Sequence, residues 1–318
     1  MKNVRLNKKK IGIFILSYKR LNHLKKVIKN VKQNISTFDK IYIFADNINF
    51  KKNYKEQNQV ISVLNYLKQI KDKQIVIIYQ KKNIGLKKNW EFAYEYMFKK
   101  FNKVISLQDD DVIKKEFIGY MVFYLNKFEK KPKIMSITGF ATKVNLPKKY
   151  KFDSYLTKRS MSWSQASWKR VWIQYKKLKK DHLGIIKDSR NKKLLNEAGT
   201  DLLPLIILEY FKLIDSIQIW WSWNVIKNHG LCINPVKSLV DNIGFLDGTG
   251  THYYQNKFLQ NNISIKNKKR LNKIFYDEKI NYLFKQNYNS SKLTFFVFNF
   301  LPLLIIRPLY LVKNMIKK

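Results

Sequence analysis

The stretch KVISLQDDDVIKKEF, residues 103–117, places three consecutive aspartates directly after a short apolar run. Adjacent carboxylates repel one another, and each raises the pKa of its neighbours unless a cation lies among them. The rest of the chain is strongly basic, with 63 Lys and Arg residues against 22 Asp and Glu residues. The stretch therefore predicts a buried strand that ends at a binding site for a cationic partner.

Similar apolar runs recur through the first 140 residues. Besides residues 103–109, we predict buried strands at 11–17, 40–46, 74–80 and 133–139, because each run is short and rich in Ile, Val and aromatic residues. The segments between them have the apolar spacing of helices. Strands that alternate with helices are typical of an α/β fold, in which a mainly parallel sheet is covered on both faces.

Ligands of such sheets bind beyond the carboxyl ends of the strands. This rule brings Ser17, Asp46 and Asp109–Asp111 to the same edge of the predicted sheet. A hard divalent cation takes one or two carboxylates and fills its remaining positions with water and substrate phosphates. The pattern therefore indicates a site for a metal-bound nucleotide diphosphate. The alternative is that the aspartates cap a helix starting near Lys114, since carboxylates favour a helix N-terminus.

Composition limits the class of protein. A chain of 318 residues with 45% hydrophobic and 15% aromatic residues is not disordered. Its single cysteine, Cys232, cannot form an internal disulfide, which favours a reducing, cytoplasmic setting. The formal charge of +41 predicts an anionic partner, which could be lipid headgroups, nucleic acid or nucleotide phosphates.

Several short motifs follow one another in an informative order. They are SYKR at 17–20, AD at 45–46, NIGLKKNW at 83–90, LQDDD at 107–111, SITG at 136–139, WSQASWKRVW at 163–172 and NHGLCINPVKSLVDNIGFLDGTGTH at 228–252. Together they resemble the GT-A nucleotide-sugar glycosyltransferases, and most closely a bacterial family-2-like group related to N-acetylglucosaminyltransferase I. The resemblance covers about residues 10–255 and implies a Rossmann-like GT-A fold with a mainly parallel sheet and flanking helices.

The resemblance also implies roles for individual residues. Asp110 matches the last carboxylate of the family's acidic motif and would contact a divalent cation, Mn²⁺ or Mg²⁺, that bridges the donor phosphates. Asp111 and His252 are further candidate metal ligands. The donor would be a nucleotide-diphosphate sugar, with UDP-sugars favoured. Its candidate binding residues are Ser17, Tyr18, Arg20, Asp46, Asn83, Gly85, Lys88 and Asp109.

The general base is the one role for which the family's residue is replaced in this sequence. An inverting transferase needs a carboxylate that accepts the proton of the acceptor hydroxyl. Relatives carry a Trp-Asp-Tyr-Gln-Trp segment whose aspartate resembles that base, but here Gln218 stands in its place. Asp215 and Asp241 are the candidate replacements. The alternative for Asp215 is that it caps the helix that carries Trp220 to Trp223.

Two further departures from the family pattern leave an alternative function open. Gln108 replaces a glutamate of the acidic motif, and Ser164 and Gln165 replace a Gly-Trp pair. The change at Ser164 and Gln165 bears on the specificity for acceptor or donor sugar. Gln108, together with Gln218, favours the alternative of a catalytically impaired relative that binds sugar or glycan. A nucleic-acid-binding protein is suggested by charge alone, and it is disfavoured because arginine is scarce and no known recognition module is present.

The last part of the chain lies outside the motif pattern. We therefore divide the chain into a glycosyltransferase domain, residues 1–262, and a basic, apolar, helical C-terminal tail, residues 263–318. A bilayer-spanning helix in the tail would bury Arg307 and contain Pro302 and Pro308. We predict an anchor at an anionic membrane interface, whereas the alternative is a helix pair packed on the domain. The expected contacts are Phe295, Phe296, Phe298, Phe300, Leu303, Leu304, Lys313, Lys317 and Lys318.

These inferences combine into one expected function. The chain is expected to be a metal-assisted, inverting hexosyl- or N-acetylhexosaminyltransferase. Its acceptor would be a glycan or a lipid-linked precursor of lipopolysaccharide or capsule type. The expected location is the cytoplasmic face of the membrane, where the protein would be peripheral.

Overall fold

All five predicted strands form in the computed structural model, each within one residue of its predicted bounds. They are β1 (Ile11–Ser17), β2 (Ile41–Ala45), β3 (Ile75–Tyr79), β4 (Lys103–Gln108) and β6 (Ile134–Thr138). Five further strands are β5 (Asp111–Ile113), β7 (Ser154–Thr157), β8 (Gln165–Trp168), β9 (Leu231–Pro235) and β10 (Val240–Asn242). The structure describes residues 6, 10–161, 163–247, 268–303 and 305–308.

Helices connect and cover these strands. In chain order they are α1 (Leu21–Asn34), α2 (Tyr54–Gln69), α3 (Gly85–Lys100), α4 (Phe117–Lys127), α5 (Lys169–Lys177), α6 (His182–Lys187), α7 (Ser189–Asn196), α8 (Leu202–Tyr210), α9 (Ile217–Lys227), α10 (Ile243–Leu246), α11 (Glu278–Lys285) and α12 (Lys292–Phe300). Helix α2 begins before its apolar segment at 59–70 because the Asn53 side chain accepts the backbone N–H of Glu56 and caps it.

Eight strands form one sheet in the order β3-β2-β1-β4-β8-β6-β9-β7. Strands β3, β2, β1 and β4 run parallel to one another, and β6 runs parallel to β9. Strand β8 runs antiparallel to both β4 and β6, and β7 runs antiparallel to β9. Strands β5 and β10 form a separate antiparallel ribbon. This arrangement confirms the predicted α/β fold class with flanking helices and agrees with a GT-A architecture.

The centre of the sheet is packed closely against α3. All seven residues of β1 are buried. A β-carbon on Gly12 would lie 2.5 Å from Cδ2 of Phe101 and 2.6 Å from Cε of Met97, so only glycine allows α3 and its C-terminal end to approach β1 this closely.

An aromatic layer joins α3, α5 and α9. The rings of Tyr94 and Trp172 stack with centroids 5.7 Å apart, and Tyr94 also stacks on Trp221 at 5.4 Å. Trp90 meets Trp221 edge to face at 5.4 Å. Ring pairs in these geometries add to the free energy gained by burial. The layer holds the start of α9 against α3, which matters for the candidate site.

The described part of the C-terminal tail packs on the rest of the chain. The backbone N–H of Asp153 donates to the carbonyl of Lys269, and Lys269 N–H donates to the carbonyl of Lys151, both at 2.9 Å. Helix α11 contacts β7, and α12 contacts α8. Phe298 and Ile306 are buried in the main core. Within the described ranges, no helix has both the length and the apolarity to cross a bilayer.

Candidate active site

The acidic run after β4 lies against the loop that follows β1. Asp109 and Asp110 are both buried, and both form ion pairs with Arg20. Arg20 Nη1 donates to Asp110 Oδ2 at 2.6 Å, while Nη2 donates to Asp109 Oδ1. Arg20 is thus a cation among the aspartates. Two candidate donor-binding residues, Arg20 and Asp109, and the candidate metal ligand Asp110 form one cluster.

Burial and the neighbouring charges set the protonation of this cluster. Burial raises the pKa of Asp109 to about 6, because the opposing effect of the Arg20 charge is only partial and Asp110 raises it further. Burial alone would lower the pKa of Arg20, but the carboxylates of Asp109 and Asp110 raise it above its ordinary value. Arg20 therefore stays cationic at every physiological pH.

Asp111 has a different environment from the two aspartates before it. Its Oδ2 accepts the backbone N–H groups of Gln108, at 3.0 Å, and Ser164, at 3.2 Å, and its Oδ1 accepts from the amide of Asn242 at 3.4 Å. Burial, with repulsion from Asp110, raises the pKa of Asp111 to about 7. Asp111 ties the end of β4 to the start of β8 and to β10.

The alternative that the aspartates cap a helix is wrong. Helix α4 begins at Phe117 and is preceded by Glu116, whose side chain makes no capping hydrogen bond. Asp111 is instead a residue of strand β5, paired in register with Asn242 of β10. Asp109 and Asp110 therefore follow the end of β4, and Asp111 belongs to the β5–β10 ribbon.

One oxygen of the cluster is suited to a metal. Asp110 Oδ1 is buried and has no hydrogen-bond partner in the described structure. The described residues contain no group of three or more His, Cys, Asp and Glu side chains that could hold an ion. A Mg²⁺ or Mn²⁺ ion that is also bound by a diphosphate needs only one or two protein carboxylates, so Asp110 fits as such a ligand. His252 lies outside the described residues.

Asp46 organises the loop that precedes α3. Its carboxylate accepts the backbone N–H of Ile84 at 3.0 Å and of Gly85 at 2.9 Å, and the Asn83 amide at 3.0 Å. Gly85 has a positive φ of 79°, a conformation that glycine adopts without strain. The backbone N–H of Asp46 donates to the carbonyl of Ser17 at 3.0 Å. Four candidate donor-binding residues, Ser17, Asp46, Asn83 and Gly85, are therefore contiguous.

The remaining candidate donor-binding residues lie around this loop. The Ser17 hydroxyl is buried and has no hydrogen-bond partner among the described residues. Tyr18 donates its hydroxyl to Glu56 Oε1 at 3.2 Å, and burial, with the charge of Glu56, raises the Tyr18 pKa to about 12. Glu56 also pairs with Lys19 at 2.7 Å. Lys88 is exposed on α3.

Glu56 and Glu209 pair with residues around the candidate site, and neither was among the site residues predicted from the sequence. Glu56 lies in the first turn of α2, where a glutamate is expected as part of a helix start. Glu209 lies in the apolar helix α8, where its ion pair with Lys87, at 2.5 Å, has no signal in the local sequence. His182 Nε2 lies 3.3 Å from the second oxygen of Glu209.

The two candidate bases have different surroundings. Asp241 forms an ion pair with Lys114 at 3.1 Å. Its neighbour Asn242 faces Asp111, and successive strand residues point to opposite sides, so Asp241 points away from the acidic cluster. Asp215 is exposed and makes no hydrogen bond or ion pair with any described residue. Its Oδ2 lies 3.6 Å from the position of a β-carbon on Gly85.

The structure also corrects the capping role considered for Asp215. Helix α9 begins at Ile217 behind Ser216, and no side chain caps it. Gln218, which stands where relatives have an aspartate, donates its amide to the carbonyl of Ser160 and to Ser222 Oγ, the latter at 3.2 Å. Gln218 thus joins α9 to the chain after β7, while Asp215 lies beside the loop that Asp46 holds.

No family model and no curated protein matches the chain. Among solved structures, TarS 1–349 from S. aureus matches 52% of this chain and 49% of that chain, at 11% identity and a TM-score of 0.36. The mannosyltransferase PcManGT from Pyrobaculum calidifontis, in complex with GDP-Man and Mn²⁺, matches 52% of this chain and 46% of that chain, at 8% identity and a TM-score of 0.36.

GalNAc-T7, solved with UDP, GalNAc and Mn²⁺, matches 71% of this chain and 42% of that chain, at 9% identity and a TM-score of 0.43. The chain spans less than half the length of each of these three proteins.

Proposed function

We propose that this protein is a metal-assisted, inverting glycosyltransferase that uses a nucleotide-diphosphate sugar, with UDP-sugars favoured. The observation that carries the proposal is the contact between motif segments that are far apart in the chain. Arg20 pairs with Asp109 and Asp110, and Asp46 holds Asn83 and Gly85 beside the end of β1. These are the segments that resemble the donor-binding motifs of GT-A enzymes, and their geometry supports a single donor site.

In the proposed site, Asp110 Oδ1 would hold the divalent cation, which acts as a Lewis acid on the diphosphate leaving group. Arg20 keeps its positive charge beside the two carboxylates and would attract the donor phosphates into the same place. Asp46 fixes the backbone of the loop at Gly85, so the loop would meet the nucleoside with little loss of conformational entropy.

Asp215 is the base that we propose. The acceptor oxygen would form a bond to the anomeric carbon while the bond to the diphosphate oxygen breaks and its electron pair leaves with the nucleotide. The hydroxyl proton would pass to the Asp215 carboxylate. What supports Asp215 over Asp241 is its exposure and its position beside Gly85, whereas Asp241 is paired with Lys114.

The proposed acceptor is a cell-surface glycan precursor, of lipopolysaccharide or capsule type, met at the cytoplasmic face of the membrane. The support is compositional, because a charge of +41 attracts the protein to anionic lipid. The division into a transferase domain and a tail also remains a proposal, with a boundary near residue 262. The hexosyl or N-acetylhexosaminyl class of the donor is a further proposal.

A second candidate is a catalytically impaired relative that binds sugar without transferring it. Gln218 favours it, because an amide that donates to Ser160 and Ser222 cannot serve as a base. The test is a panel of nucleotide sugars in thermal shift, with Mn²⁺ and with EDTA, followed by donor hydrolysis for each sugar that binds. A ligand that binds the native state raises its melting temperature. Binding without hydrolysis or transfer would favour the impaired relative, and no Mn²⁺-dependent shift with any nucleotide sugar would contradict the proposed function.

A further inference from the structure

Helix α12 exposes an apolar surface. Leu293, Phe296 and Phe300 are 73%, 55% and 67% exposed. Their spacing of three and four residues puts them on one side of the helix, and the rings of Phe296 and Phe300 are 5.4 Å apart. Ile305, in a short helical segment that follows the break at residues 301–302, is 45% exposed. We call these four residues the tail face.

The opposite side of α12 is fixed to the domain. Phe298 is only 9% exposed and belongs to the main core. The N–H of Ser290 donates to Thr200 Oγ1 at 2.9 Å, and Ser291 caps the helix by accepting the N–H of Thr294. The tail face is therefore held outward by contacts on its other side. Of the contacts expected from the sequence, Phe298 is unavailable for an external partner, and Leu293 was missed.

The charge of the surrounding chain indicates that the partner of the tail face is anionic. No acidic residue follows Glu278 in the sequence. Seven basic residues do: Lys279, Lys285, Lys292, Arg307, Lys313, Lys317 and Lys318. An apolar surface in an exclusively cationic segment complements an anionic lipid surface, where apolar side chains enter the headgroup region and lysines meet the phosphates. A second copy would bring a segment of the same charge against it, which is repulsive.

We propose that the tail face is a docking surface for anionic phospholipid, with α12 lying along the membrane interface. The inference goes beyond glycosyl transfer and does not depend on it, because docking requires neither donor nor acceptor.

The test is co-sedimentation of the full chain with vesicles of phosphatidylcholine alone or mixed with phosphatidylglycerol. The L293S/F296S/F300S variant should lose at least about tenfold in partitioning onto the anionic vesicles, because three exposed apolar contacts are removed. F38S is the matched control, since Phe38 is also 67% exposed but lies between α1 and β2. Circular dichroism and melting temperature check that each variant is folded.

A second measurement does not depend on a loss of binding. Cys232, the only cysteine, is buried, so Phe300→Cys can be labelled with an environment-sensitive fluorophore. The emission should shift to shorter wavelength on anionic vesicles and not on phosphatidylcholine. High salt should weaken the binding without abolishing it, because only the charge contribution is screened.

Three results would overturn the proposal. The first is equal partitioning of the triple variant and wild type, with no spectral shift of the label. The second is an equal loss in F38S. The third is a dimer, measured by light scattering without lipid, that dissociates in the triple variant, since the tail face would then bind a second copy.

Discussion

Gly244 lies so close to Asp110 that a β-carbon on it would be 2.5 Å from Asp110 Oδ2 and 2.8 Å from Arg20 Nη1. The N–H of Ile243 also donates to the carbonyl of Asp110 at 2.9 Å. The start of α10 thus covers the acidic cluster that ends β4. The geometry of the candidate metal ligand depends on a segment from the other end of the domain.

Gly244→Ala should weaken nucleotide-sugar binding, because the added methyl group must displace the Arg20–Asp110 pair. The expected result is at least a tenfold rise in the Kd of the Mn²⁺-dependent donor complex, about 1.4 kcal/mol. Calorimetry with the best donor of the panel would measure it. Gly119→Ala is the control, since nothing lies within 4 Å of its β-carbon position in α4. That variant should keep the wild-type Kd and gain up to about 1 kcal/mol in stability.

Asp110→Asn and Asp111→Asn should affect different properties, the first donor binding and the second stability. Asp110→Asn should remove metal-dependent donor binding and leave the fold intact, because the amide oxygen can still accept from Arg20 while the NH₂ group takes the place of Oδ1, which has no partner to lose. Asp111→Asn should instead lower the free energy of unfolding by roughly 1–3 kcal/mol, since a buried acceptor of two backbone N–H groups is altered. Donor titration and urea unfolding of both variants separate the effects. Unchanged metal dependence in Asp110→Asn would contradict its assignment, and Asp109→Asn should cost less binding than Asp110→Asn.

Asp215→Asn should abolish sugar transfer and leave the donor Kd unchanged. A general base acts on the acceptor in the transition state and contributes little to binding the nucleotide. Asp241→Asn, which breaks an exposed pair with Lys114, serves as the control and should keep nearly full activity. Single-turnover transfer with radiolabelled donor measures both variants. If Asp241→Asn is the inactive one, the assignment is reversed.

Phe298→Ala and Phe300→Ala should change the free energy of unfolding by different amounts, because the two residues lie on opposite sides of α12. Phe298 is buried in the core, so its truncation should lower the free energy of unfolding by about 3 kcal/mol or more. Phe300 is exposed, and its truncation should change stability by no more than about 0.5 kcal/mol. Urea unfolding compares them. Equal small effects would show that α12 is not packed on the domain in solution.

Cys232 should be unreactive in the native protein. It is buried, and burial raises the pKa of its thiol to about 12. Because the thiolate is the nucleophile, alkylation at pH 8 should occur only after unfolding. Iodoacetamide labelling followed by mass spectrometry, with and without urea, would check this. Rapid native labelling would indicate that β9 opens readily.

The apolar pattern of the sequence was enough to predict five strands and the sheet edge at which their polar ends meet. The apolar runs at 11–17, 40–46, 74–80, 103–109 and 133–139 all became strands, because a strand covered on both faces needs a continuous apolar run. The prediction that the run at 74–80 is buried was wrong, since β3 lies at the edge of the sheet and its residues are only half-buried or exposed. The rule that ligands bind at strand ends also brought Ser17, Asp46 and Asp109 to one region. Strands β5, β7, β8 and β10 were not predicted, because three or four residues are too few for a periodic signal. Strand β9 was not predicted either, because its five residues, LCINP, end in Asn234 and Pro235 and form no continuous apolar run.

The pairing of polar groups could not be predicted from the sequence and became clear from the folded chain. Arg20 and Asp110 are 90 residues apart in the chain, and Asp111 and Asn242 are 131 residues apart. Local sequence does not indicate such distant partners. The sequence therefore could not show that two of the three adjacent aspartates pair with Arg20 and that the third accepts backbone N–H groups. The same holds for Phe298, which faces inward, and Phe300, which faces out. Strand formation follows from the burial pattern of neighbouring residues, whereas partner choice follows from which segments the completed sheet brings together.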